Sequence, residues 1–243
     1  MAKILLIETA TQVCSAAIAA DGAVVALAES PQSLQHAADL TPQIEQCVRE
    51  SGITLSDLDA VAVSQGPGSY TSLRVGVSVA KGICYALDKP LIAIDTLAAL
   101  AAAGLESSGA THSELVYLVP MIDARRMEVW TGIYDTNLRR LTAQEPLILE
   151  NNSFIDYLSA NLPEHIKSTF IMSGNGIEKA SNVTLPENTV WSPIKKCSAR
   201  YLSALALKLF QQADFQDVAY FEPVYMKPPN ITVSNKSAWH EKH

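Results

Sequence analysis

Apolar positions along this chain run first in a strand rhythm and then in a helical one. Ile4–Ile7 reads as a buried strand, Val13–Ala20 alternates, Asp21-Gly22 is a hairpin turn and Ala23–Ala28 returns, which makes a three-strand meander. A helix is predicted from about Leu34 to Glu50, with Leu34, Ala37, Thr41, Ile44 and Val48 on one face. Pro42 falls inside it, so the helix is kinked there or restarts with Thr41 as cap and Pro42 at its first position. A strand beginning at Ala60, a tight Gly66-Pro67-Gly68 turn and a cap at Ser69 or Thr71 follow, then a further helix. Leu91–Ile94 is a short strand, and another helix is capped near Asp95-Thr96.

The helix after Thr71 carries two apolar stripes. Leu73, Gly76, Val77, Ala80, Ile83, Cys84 and Leu87 form one at helical spacing; Val75, Val79, Gly82 and Ala86 form a second, of small residues, beside it. A helix apolar around most of its circumference must be covered on more than one side. One cover is its own core; the other is a second internal layer or a partner protein.

Around Glu106–Ser113 the chain turns small and polar, which marks a boundary between a first unit at 1–106 and a second at 107–226. The opening pattern then recurs weakly. Leu115–Ile122 is a predicted strand ending at Asp123, Met127–Tyr134 alternates, a turn falls at Asp135–Asn137, and Leu138–Leu149 has strand character. Helix Ser153–Ala160, strand Thr169–Met172, a Gly-Asn-Gly turn and helix Ala199–Gln212 complete the pattern. Glu8 and Asp123 hold matching places at the ends of the two first strands, so two α/β halves facing each other are expected. Residues 227–243, rich in Pro, Asn, Ser and Lys, are expected to be a mobile tail.

Composition changes this picture little. The chain has 243 residues, of which 48% are hydrophobic and 18% charged, as in an ordinary globular protein. The net charge of −7 argues against a grip on nucleic acid by this chain alone, since phosphate contacts need clustered Lys and Arg. No signal peptide is read at the start, and the run Leu97–Leu105 is too short to span a bilayer, so a cytoplasmic protein without a membrane role is expected. Cys14, Cys47, Cys84 and Cys197 lie in apolar or helical patterns without a C-x-x-C, as packed, reduced thiols do.

Chemistry is sparse. Gly66-Pro67-Gly68-Ser69 and Ser173-Gly174-Asn175-Gly176 match neither a P-loop nor a dinucleotide fingerprint, and the plain reading of each is a tight turn. Glu8-Thr9-Ala10-Thr11 places a carboxylate and two hydroxyls at a strand end, where they hold a nucleotide's phosphates or merely stabilise the turn; both readings stand open. No metal site is predicted, because His36 has Leu40 at the helical spacing where a second ligand would sit. Asp123-Ala-Arg-Arg126 is a charged turn between strands, fit for a carboxylate or phosphate or simply solvated.

Ile4–Thr11, the isolated His36, Gly66-Pro-Gly-Ser-Tyr-Thr-Ser-Leu-Arg-Val-Gly76, Asp123–Arg126 with Glu128-Val129, and Glu222-Pro-Val-Tyr225 together resemble the TsaB (YeaZ) family across nearly the whole chain. The resemblance implies the α/β two-domain fold of actin-like ATPases, sugar kinases and Hsp70, with ribonuclease H-like halves. It implies a non-catalytic subunit in N6-threonylcarbamoyladenosine modification of tRNA, which dimerises with the catalytic TsaD and helps recruit the ATPase TsaE. A homodimer is expected where TsaD is absent, and tRNA is met only through the complex. In the family the two helices pack against their counterparts in TsaD, which gives Leu40, Ile44, Cys47, Val48, Leu73, Val75, Gly76, Val79, Gly82 and Ile83 as the expected partner-binding set. Ser72 departs from the glycine usual there.

An alternative within the same superfamily is an active ATP-dependent kinase or transferase. It would use Glu8, Thr9 and Thr11 for ATP or ADP phosphates and the turn with Gly174 and Gly176 for the nucleoside, and it needs a general base that the sequence does not offer. On the first reading no cofactor is required. An old-style glycoprotease lacks both the metal pair and a serine elbow.

Overall fold

A computed structural model describes residues 1–30, 35–110, 116–162 and 168–227. The first half opens with an antiparallel meander, β1 (Lys3–Glu8), β2 (Ser15–Ala20) and β3 (Ala23–Glu29). Helix α1 (His36–Ser51) leads to β4 (Ala60–Gly66), α2 (Tyr70–Leu87) and β5 (Leu91–Asp95). β4 lies parallel to β1 and β5 parallel to β4, so the sheet order is β3-β2-β1-β4-β5. After α3 (Thr96–Ser108) the same order recurs. β6 (Val116–Asp123), β7 (Glu128–Thr131) and β8 (Glu145–Ile148) form a second antiparallel meander, and β9 (Thr169–Ser173) and β10 (Thr189–Trp191) add on parallel to give β10-β9-β6-β7-β8. The weak echo in sequence is thus a clear repeat of topology, and the expected two α/β halves are present. Helix α4 (Ser153–Asn161) covers the outer face of the second sheet.

Strands β1, β2 and β4 of the first sheet are buried on both faces, while the edge strand β3 exposes Val24 and Val25. Leu5 and Ile7 point to the core under α1 and α2, whereas Ile4 and Leu6 point to a second core that takes Ala199, Leu202 and Ala206. That second core corrects the expected boundary. The turn of 3-10 helix Ala199–Leu202 and α5 (Ser203–Gln211) pack on the first sheet, so the 107–226 segment does not stay with the second. α3 is sandwiched between the halves: Ala99 joins the first-half core, while Leu97, Leu100 and Ala101 meet Leu118, Ile122 and Ile171. A helix so rich in alanine allows close approach on both sides.

Other differences are local. α1 is unbroken through Pro42, and its buried residues are His36, Leu40, Gln43, Ile44 and Cys47; Ala37 and Thr41 face solvent, so the predicted face was rotated. Strand character predicted over 138–149 is realised only in β8, because Leu138 takes a left-handed turn conformation after Asp135. Of the tail expected at 227–243, Lys227 is placed and the remainder lies outside the described residues.

Candidate functional site

The Gly66–Gly76 segment seats α2 on the end of β1. Gly66 has a φ of +112°, the Gly66–Pro67 peptide is cis, and Ser69 caps α2 in an extended conformation. Ser69 N donates to Ala10 O at 2.7 Å, and the Ser72 hydroxyl donates to Ser69 Oγ at 2.9 Å. Two glycines are required by close approach. A Cβ at Gly68 would collide with the Ala10 backbone, and one at Gly76 with the Thr9 hydroxyl. These interlocked residues explain the motif as packing, without any ligand.

Between the halves lies a cleft of about 630 Å³, polar in character. Thr11, Gln12, Ser69 and Thr71 line it from the first half, Arg125, Trp130 and Asn175 from the second, and Val224–Lys227 from the chain's end. Of the five residues expected to hold a nucleotide, only Thr11 reaches it. Glu8 and Thr9 are fully buried beneath the turn, and Glu8 accepts from Ala10 N at 2.5 Å and from the Ser64 hydroxyl at 3.0 Å. Desolvation outweighs those bonds and pushes the Glu8 carboxyl up to about 7. Gly174 N donates to Ile194 O at 2.7 Å, and Gly176 N to Met121 O at 2.9 Å. Those two donors are used within the chain, and of this turn Asn175 is the residue that lines the cleft.

His36 is a structural histidine: it is buried, and its Nε2 lies 2.9 Å from Thr11 O. Among the described residues no three His, Cys, Asp or Glu side chains are grouped as metal ligands. All four cysteines are buried and unbridged, and burial pushes the thiols up, Cys14 to about 12 and Cys47 and Cys84 to about 11. The Asp123–Arg126 turn sits at the cleft rim. There Asp123 pairs with Lys179 at 2.6 Å, while Arg125 and Arg126 are exposed in left-handed backbone.

The helical surface separates the expected partner residues into two groups. Leu40, Ile44, Cys47, Leu73 and Gly76 are buried in this chain's own core and are not accessible to a partner, a correction forced by the rotation of α1 and the close seat of α2. Val48, Val75, Val79 and Ile83 are half-buried, packing on the core from its margin, and Gly82 is exposed with nothing within 4 Å of a Cβ. The second stripe of α2 is therefore the open one. Tyr85, 86% exposed, stands at its end. The sequence singles out neither Trp130 nor Lys227, which the fold brings together from distant segments; Tyr70 and Arg74 stand four apart on α2 within the glycine motif, and only their stacking with Tyr225 depends on the fold.

Comparison with known proteins gives a consistent set. A family model described as TsaD: tRNA N6-adenosine threonylcarbamoyltransferase matches residues 30–234. The tRNA threonylcarbamoyladenosine biosynthesis protein TsaB of Escherichia coli is 27% identical over 246 residues, covering 98% of this chain and 96% of that one. The Bacillus subtilis protein of the same name is 32% identical over 131 residues, 54% of each chain. The solved structure of YeaZ from Pseudomonas aeruginosa superposes with a TM-score of 0.78 at 25% identity, covering 93% of this chain and all of the other. No helix among the described residues is long and apolar enough to cross a membrane.

Proposed function

The chain belongs to the TsaB (YeaZ) family, whose role lies in tRNA threonylcarbamoyladenosine biosynthesis, and from that premise we propose that it is a non-catalytic scaffold subunit in the cytoplasm. It pairs with TsaD through α1 and α2, supports the transfer that TsaD performs and helps to recruit TsaE; it carries no resident cofactor and meets tRNA only through the assembly.

The observation that carries this reading is the second stripe of α2, where half-buried Val75 and Val79 lead to exposed Gly82, flanked by half-buried Val48 and ending at Tyr85. Small residues in a row let a second helix approach at short interaxial distance, and an exposed tyrosine at the edge supplies an amphipathic anchor. The kinase alternative draws less support, because Glu8 and Thr9 lie buried beneath the cleft floor.

Size-exclusion chromatography with light scattering tests the proposal on the chain alone and mixed with TsaD from the same organism. A one-to-one heterodimer that replaces any homodimer is expected. No association, even with TsaE and nucleotide present, overturns the scaffold reading, and ATP turnover by the isolated chain favours the kinase.

A further inference from the structure

From Gln216 to Lys227 the chain runs as a strap of irregular backbone across α2 and into the cleft. Gln216 N donates to Leu91 O at 2.8 Å, and Val218 and Phe221 pack on the first-half core. Lys81 Nζ of α2 donates to the carbonyls of Ala219 and Phe221 at 3.1 and 3.0 Å. Val224 N donates to Gln65 O at 2.8 Å. The Arg74 guanidinium lies 4.3 Å over the Tyr70 ring while its Nε donates to Tyr225 Oη at 2.9 Å, and the two tyrosine rings are 4.4 Å apart. Two residues later the strap crosses to the second half, where Lys227 pairs with Glu128 and sits 5.2 Å from the centre of the Trp130 ring. Trp130 is only 7% exposed.

We propose that this strap is a lever joining the outer face of α2 to the cleft between the halves: displacement of Arg74 from Tyr225 frees Lys227 from Trp130 and Glu128 and opens the cleft. Arg74 is exposed on α2, so a carboxylate presented to that helix competes directly for its guanidinium. Exposed cation–π contacts are individually weak, so the Arg74 end of the strap exchanges partners readily, while the Lys227 end rests on a buried ring. Only Met226 separates Tyr225 from Lys227, and so short a span of chain keeps the two ends in step. The lever does not depend on which partner α2 takes.

Acrylamide quenching of Trp130 tests this in the full chain, with Trp191→Phe and Trp239→Phe leaving Trp130 as the reporter. Lys227→Met is expected to raise the quenching constant several-fold, and Arg74→Met, at the far end of the strap, to raise it in the same direction. Both side chains are solvent-facing, and a thermal melt confirms that the variants fold; Glu128→Gln offers a second way to release Lys227. A rise with Lys227→Met or Glu128→Gln but none with Arg74→Met overturns the lever. No rise with any of them overturns the closure at Trp130 as well.

Discussion

The Ser64 hydroxyl donates to Glu8 Oε1 at 3.0 Å, tying the ends of β1 and β4 together in a site that excludes solvent. Glu8 Oε2 has no hydrogen-bond partner among the described residues, and the carboxyl is held near 7 by desolvation, against an ordinary value of 4.5. The native protein therefore keeps a proton that the unfolded chain has already released. The contribution of Glu8 to stability is fully present below pH 4.5, falls as pH rises towards 7, and is level above it; the interval is worth about 3 kcal/mol. Glu8→Gln, which cannot ionise, is expected to be more stable than the parent at pH 8 and no better at pH 5. Urea denaturation at the two pH values measures this. An identical pH dependence in both proteins would show that Glu8 is not the titrating group.

Gly76 and Gly82 lie six residues, under two turns, apart on α2, and their surroundings differ sharply. A Cβ at 76 meets the Thr9 side chain, whose hydroxyl is itself buried without a partner, while a Cβ at 82 meets nothing within 4 Å. Gly76→Ala is expected to cost about 1–3 kcal/mol by overpacking the β1–α2 seam. Gly82→Ala should stabilise by about 0.5–1 kcal/mol through helix propensity. Thermal or chemical unfolding of the pair reads both signs, and equal effects would mean that α2 is not seated on Thr9.

That contrast also shows what the sequence could and could not reveal. The two stripes of α2 were legible because helical spacing divides residues by face, and the division holds in part: Gly82 and Ala86 are exposed, while Val75 and Val79 are half-buried at the margin of the core, as Ile83 of the first stripe is. α1 was less legible, since Ala37 and Thr41 fit a helical face as well as Leu40 and Cys47 do, and only tertiary packing chose between them. Glu8 was visible as a strand-end carboxylate, but its burial depends on Ser64 and on the turn above it. The return of α5 to the first sheet had no signal at all. An apolar helix records that it needs a cover and not which sheet supplies it.

The partner surface makes opposite demands on Leu40 and Gly82. Leu40 is fully buried, so Leu40→Ala is expected to cost about 2–5 kcal/mol of stability whether or not TsaD is present. Gly82→Glu places a carboxylate on the open stripe. It should leave the thermal unfolding of the isolated chain nearly unchanged and weaken binding to TsaD at least tenfold, or about 1.4 kcal/mol, as a charge desolvated in an apolar helix contact does. Titration calorimetry beside a melting curve separates the two. Undiminished TsaD binding by folded Gly82→Glu removes this face from the interface.

Asp95 is where the halves are joined by polar chemistry rather than by packing. Its Oδ1 caps α3, accepting from Leu97 N at 2.8 Å and Ala98 N at 3.2 Å. Its Oδ2 accepts from Tyr134 Oη at 3.3 Å and from Gln144 Nε2, and Arg140 lies 4.0 Å away, all three on the second half. Burial raises its pKa, with the cap, Gln144 and Arg140 opposing. Loss of the cap alone costs about 0.5–2 kcal/mol, and loss of a hydrogen bond to a carboxylate about 1.5–3 kcal/mol. Asp95→Ala forfeits both, and it leaves the buried Tyr134 hydroxyl with Gln144 as its remaining partner. Tyr134→Phe forfeits only the inter-half bond and keeps the cap, so the expected order of stability is parent, then Tyr134→Phe, then Asp95→Ala. In the Asp95→Ala background, Tyr134→Phe should cost less than it does alone, because its partner is already gone. Additive losses in that cycle would mean that the two side chains do not communicate, and that the Asp95–Tyr134 contact does not help to hold the halves together.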